Sequence, residues 1–178
     1  MRRLGDNKGI SQTDSERLKA FAKAAKVAEM ELHNSFFKEW NISAENAEQM
    51  PNGLLYTSYM EWIVATWFHA EGLAVLLPCC WVYLHVGKCM LQLREELGTS
   101  VKRPPQFDAW IDMYGGEDFE KEVKDYIAMV NAACKTTDKV TLEQMEKHFI
   151  IWCCKLEHMF WDQASTRMEW PKIVPDDN

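Results

Sequence analysis

The chain has 178 residues, of which 47% are hydrophobic, with eight Trp, eight Phe and a formal net charge of −7. That length and apolar content support a sizeable core and exclude a disordered polymer. The charge is uneven, with seven Lys/Arg against three Asp/Glu in residues 1–26 and thirteen against twenty-four in the rest; an acidic body argues against nucleic acid as a partner.

Residues 1–13 read as an irregular leader, with Gly5 and Gly9 breaking any period. Asp14 or Ser15 caps a helix that runs to about Trp40. Its apolar stripe is Leu18, Phe21, Ala25, Ala28, Leu32 and Phe36, in steps of three and four. Glu29 and His33 stand one turn apart on it, a metal half-site or, as the favoured reading, a rim hydrogen bond. Asn41 to Gly53 is a connection. A second helix covers Leu54 to about Phe68.

Glu71-Gly72 marks a junction into a third helix that reaches Leu97 and ends at Gly98. Between Glu71 and His85 stand 13 uncharged residues. That is shorter than a bilayer span, so a buried core helix is expected and no membrane. Pro78, which removes a backbone donor, precedes Cys79, Cys80 and Trp81. Tyr83 follows Cys79 by one turn, so thiol and phenol share a face. That face is either a wall for a flat heteroaromatic ligand or plain core in which the cysteines serve as small hydrophobes.

A Pro104-Pro105 loop leads to a short helix over Phe107 to Met113, which ends at Tyr114-Gly115-Gly116. Another helix runs from Glu117 to about Cys134. Thr141, with Glu143 and Gln144 after it, reads as a capping box that opens a last helix to about Met168. Trp170, Pro171 and Pro175 finish the chain irregularly, with the tail itself over 171–178. The last helix has an expected buried stripe of Met145, Phe149, Trp152, Cys153, Leu156, Phe160 and Ala164. Glu157 falls among apolar neighbours there. Desolvation should raise its pKa and suit it to acid–base work. The sum is an all-α bundle over 14–170 as a single domain.

The six cysteines include two adjacent pairs and no C-x-x-C. Zinc spacing is therefore lacking, and reduced thiols in a cytoplasmic compartment are expected. No apolar signal-peptide stretch is found. Glu-x-x-His is missing, which disfavours a di-iron centre.

Five collinear blocks carry a resemblance. They are AEMELH at 28–33, LYTSYM at 55–60, LLPCCWVYLHVG at 76–87, WIDMYGGEDF at 110–119 and LEHMFWDQA at 156–164. Together they resemble the TenA (thiaminase II) family, whose members share the haem-oxygenase-like all-α fold. The resemblance covers roughly 17–170 and implies the thiol-bearing branch. It implies Cys79 as catalytic thiol and Glu157 as catalytic acid and base, with Tyr56, Tyr83, Tyr114 and Phe160 holding the substrate ring. The implied activity is aminopyrimidine aminohydrolysis. The substrate would be 4-amino-5-aminomethyl-2-methylpyrimidine, or thiamin itself in some members, within thiamin salvage. No metal or cofactor is implied, and a homo-oligomer is.

Family members open with two further helices whose aspartate binds the aminopyrimidine. Residues 1–27 show no counterpart, so the chain is expected to lack those helices. The alternative function is a non-catalytic relative, a binding or assembly protein without that wall of the pocket.

Overall fold

The computed structural model describes residues 1–6, 10–43, 45 and 47–172. The break read at Gly9 and the tail beyond Lys172, with Pro175, lie outside them. Among the described residues every regular element is helical: α1 (Arg2–Gly5), α2 (Gln12–Glu39), α3 (Pro51–Thr66), α4 (His69–Leu97), α5 (Pro105–Gly115), α6 (Glu117–Thr136), α7 (Lys139–Glu146) and α8 (Cys154–Thr166). A π-helical turn, Lys147–Cys153, joins the last two.

Helix α4 is the axis of the bundle and packs against α3, α5, α6, α7, α8 and the π turn. Its length and apolarity would let it cross a membrane. Here, however, nine consecutive positions from Ala70 to Pro78, and then Cys80, are buried in the protein. The helix runs unbroken through Pro78, which is fully buried. Glu71 and Gly72 are not a junction. The helix starts at His69, and Glu71 lies in its first turn with only 2% of its surface exposed. Burial raises its carboxyl, while the Glu71 and Phe68 backbone N–H groups pull it back.

Two caps differ from expectation. Ser11, rather than Asp14 or Ser15, caps α2: its Oγ accepts from the Asp14 N–H at 3.1 Å and donates to Asp14 Oδ2 at 2.7 Å. Asp138, rather than Thr141, caps α7. Its Oδ1 accepts from the N–H groups of Val140 and Thr141 at 2.9 and 3.0 Å, and Thr141 Oγ1 donates to Oδ2 at 2.8 Å. In each case the shorter or charged side chain a few residues upstream reaches the free N–H groups first. The leader reading is also revised. Arg2–Gly5 is a helical turn, and Leu4 is fully buried in the core, 2.5 Å from where a Cβ on Gly72 would sit.

The last helix is not uniform. A π turn places residues five apart on one face. His148 and Cys153 are accordingly both buried, while Trp152, expected inside, is 51% exposed. Ala164 is exposed as well.

Two features hold α5 on α4. Gly87 and Gly115 let the backbones touch: a Cβ on Gly87 would fall 2.6 Å from the Gly115 nitrogen, and one on Gly115 would fall 2.8 Å from the Gly87 oxygen. Arg94 then reaches Asp108 at 3.2 Å and Asp112 at 2.6 Å. Replacing Gly87 with Ala forces α5 outward and should lower stability by about 1–3 kcal/mol. Urea unfolding of the variant checks this, and a midpoint equal to that of the parent would refute the contact.

Candidate active site

Cys79 is on α4 with its thiol exposed. Protein nevertheless surrounds it closely enough to desolvate the thiol. Burial pushes it well above the usual thiol range, and the negative charge of Glu157, then that of Cys80, Glu29 and Cys153, adds to the effect. The strongest charges acting on it are negative, and with burial they favour the neutral thiol over the thiolate.

Glu157, on α8, is 2% exposed. Its Oε1 accepts from the Trp161 indole N–H at 2.8 Å, one turn along the same helix. Oε2 is buried without a hydrogen-bond partner, as is the hydroxyl of Tyr56 on α3. Desolvation raises the Glu157 carboxyl, against the pull of the nearby Tyr56 hydroxyl and the Trp161 N–H. Tyr56 and Glu157 are neighbours, but not aligned as a hydrogen bond. The Tyr56 phenol is pushed far up, by burial first and then by its nearness to the acidic groups of Cys79 and Glu157.

The approach of α3 to α8 has its own device. Gln163 Oε1 accepts from the backbone N–H groups of Asn52 and Gly53 at 2.8 and 3.1 Å, and Asn52 Nδ2 donates to the Met159 carbonyl at 2.9 Å. A side chain of α8 thus satisfies the free N–H groups that open α3. Tyr56 sits one turn further along.

The third wall is aromatic. The Tyr83 ring centroid lies 4.8 Å from that of Tyr114 and 5.2 Å from that of Trp161. Trp110 lies 4.7 Å from Tyr114. The Tyr114 hydroxyl donates to Glu29 Oε1 across from α2. His33 holds the other carboxylate oxygen at 3.3 Å. Phe160 is half-buried and packs on the core one turn beyond Glu157.

The structure therefore gathers Cys79, Glu157, Tyr56, Tyr83 and Tyr114 at one place. The rim pairing of Glu29 with His33 is present, but its link to Tyr114 spans 85 positions and no local pattern signals it. Trp161 stands four residues after Glu157, a spacing that does carry a local signal. Trp110 had none. The other histidines lie elsewhere: His85 pairs with Cys89 at 3.7 Å, and His148 with the Tyr59 hydroxyl at 2.8 Å.

The family profile described as TENA/THI-4/PQQC matches residues 9–168. The chain belongs to the TENA/THI-4/PQQC family. It is 30% identical over 157 residues to the aminopyrimidine aminohydrolase of Bacillus subtilis (strain 168), covering 86% of this chain and 63% of that one. It is 31% identical over 174 residues to the aminopyrimidine aminohydrolase of Halalkalibacterium halodurans, covering 94% and 73%. It is also 26% identical over 147 residues to the thiamine biosynthesis multifunctional protein ThiED of Corynebacterium glutamicum, covering 83% of this chain and 18% of that one. The chain thus spans a little under two thirds of the Bacillus relative and about three quarters of the Halalkalibacterium one. The all-helical architecture described above agrees with the haem-oxygenase-like bundle expected of this family.

A raised carboxyl has a signature in stability. Its folded pKa lies above its unfolded value, so the protonated form favours the fold. That advantage is full below the unfolded pKa and is lost as pH rises toward the folded one. Glu157→Gln, which keeps the acceptor for Trp161, should therefore be more stable than the parent at pH 7, with the gain shrinking toward pH 4. Thermal melts at the two pH values check this; an equal or opposite difference at both would contradict the desolvation of Glu157.

Proposed function

We propose that the protein is an aminopyrimidine aminohydrolase of the thiaminase II type. It hydrolyses 4-amino-5-aminomethyl-2-methylpyrimidine, and by the same chemistry thiamin, in thiamin salvage. The observation that carries this reading is an exposed cysteine beside a buried carboxyl whose hold on a proton is strengthened by desolvation, flanked by Tyr56, Tyr83 and Tyr114. The names borne by its relatives support it.

Cys79 starts as a thiol and gives its proton to Glu157, the carboxylate whose charge weighs most on it. The thiolate adds to an electron-poor carbon of the pyrimidine, and the displaced electron pair settles on a ring nitrogen, which takes the proton from Glu157. The ring is no longer aromatic. Its electrons return toward the exocyclic methylene and break the carbon–nitrogen bond there, and the amine, which enters as an ammonium group, leaves as ammonia. Water, activated by the Glu157 carboxylate, adds to the methylene. The carbon–sulfur bond then breaks, the ring regains aromaticity, and the thiol takes back its proton. One water is consumed, and one ammonia and one hydroxymethyl pyrimidine are formed. Tyr56, Tyr83, Tyr114 and Phe160 hold the flat ring by stacking and hydroxyl contacts.

The protein acts in the cytoplasm as a homo-oligomer. Exposed Trp62, Trp152 and Phe68, the last 74% exposed, support self-association. Sedimentation velocity should give a species larger than 20.8 kDa; a well-behaved monomer would refute it.

Ammonia release from the aminomethyl pyrimidine tests the activity. Cys79→Ser should abolish it, and Glu157→Gln should lower kcat by about 10²–10⁴-fold, each with helicity unchanged. Full activity in either variant would overturn the site. No release from the folded parent would favour the non-catalytic binding or assembly reading.

A further inference from the structure

A phenol has one proton to give and two lone pairs that accept. At Tyr114 the proton is already committed. The hydroxyl donates to Glu29 Oε1, a charge-assisted bond to a carboxylate, and such bonds are the stronger kind. The carboxylate is itself held, because His33 Nε2 stands 3.3 Å from its other oxygen on the next turn of α2. The Tyr114 ring is buried and wedged between Tyr83 at 4.8 Å, Trp110 at 4.7 Å and Phe119 at 5.2 Å, so it is not free to swing the hydroxyl elsewhere. Glu29 also lies close enough to Cys79 and Tyr83 for its charge to weigh on both. Its carboxylate is thus part of the recess although it comes from the outer helix.

We propose that Glu29 determines substrate specificity through Tyr114: by holding the phenol proton it leaves the Tyr114 oxygen as an acceptor only, which selects a pyrimidine presenting an amino N–H over one presenting a carbonyl oxygen. The inference rests on the aminopyrimidine reading above. A ring amino group donates to the fixed oxygen. A ring carbonyl at the same place sets lone pair against lone pair, and a site built to hydrogen-bond one group discriminates strongly against a substitute that cannot. Tyr114 would touch the substrate; Glu29 acts behind it as a positioning residue.

Ammonia release is measured for two pyrimidines that differ only in carrying an amino or an oxo group beside the aminomethyl substituent. The enzymes are the parent, Glu29→Ala, Glu29→Gln and Tyr114→Phe. The parent should favour the amino compound by roughly 100-fold or more in kcat/KM. In Glu29→Ala the preference should shrink at least about tenfold, mainly through a higher KM for the amino compound. Glu29→Gln, whose amide oxygen accepts the same proton, should keep the preference. Tyr114→Phe should lose it while keeping the ring, which covers the case in which Glu29→Ala does not fold.

A purely structural role would depress both compounds alike. An unchanged ratio in Glu29→Ala or in Tyr114→Phe, with Cys79-dependent turnover in the parent, overturns this proposal alone. No Cys79-dependent turnover of either compound by the parent overturns the aminopyrimidine reading and this inference with it.

Discussion

Two helix backbones touch at Gly87 and Gly115, and the aromatic side of the recess follows from that contact. Any side chain at either glycine would hold α5 away from α4. Tyr114 immediately precedes Gly115, so its ring is delivered against Tyr83 by the backbone rather than by loop chemistry. Trp110, one turn earlier, comes with it. Arg94 fastens the outer end of the same pair through Asp108 and Asp112. The apolar centre of α4 supplies the fixed reference for both thiol and phenol, because most of its first three turns are buried.

The recess has an unusual electrostatic balance. Glu157, Glu29, Cys79 and three phenols meet there, and the strongest charges acting on the thiol are negative. Glu157, Cys79 and the three phenols therefore hold their protons more firmly than they would in water. Glu157 Oε2 and the Tyr56 hydroxyl are buried without partners, and each such group costs about 1–3 kcal/mol. A fold selected for stability alone would have paired or removed them. Unpaired polar atoms facing one another across α3 and α8 are what a site looks like when its hydrogen bonds are completed by a bound molecule.

The helices and most of their faces were legible in the sequence, because apolar steps of three and four and the Gly/Pro breaks are local signals. Cys79 and Tyr83 were legible for the same reason, one turn apart on one helix, and Glu157 stood out as a charge in an apolar stripe. The caps were misassigned by a few residues since several Ser, Thr and Asp compete within each turn, and only geometry decides which oxygen reaches the N–H groups. Trp152 went to the wrong face because a π turn has no sequence period distinct from that of an α-helix over so short a stretch. The links from Tyr114 to Glu29 and from Gln163 to the start of α3 join segments 85 and 110 or more positions apart. They depend on how the helices cross, which no local pattern encodes.

The π turn between α7 and α8 has a bearing on how this site came about. An α-helix advances about 100° per residue, so one residue inserted into a helix rotates everything after it by that angle while leaving everything before it in place. Lys147–Cys153 absorbs such an insertion without breaking the rod. Upstream, Met145 is buried; His148 and Cys153 within the turn, and Leu156 and Glu157 beyond it, also face inward. An unbroken α-helix through these same residues would carry Glu157 about 100° further round, off the inward face it now shares with Cys153 and Leu156. The half of the rod that carries Glu157 is thus phased independently of the half that carries Met145, and straightening the turn without shortening it would re-aim the carboxyl.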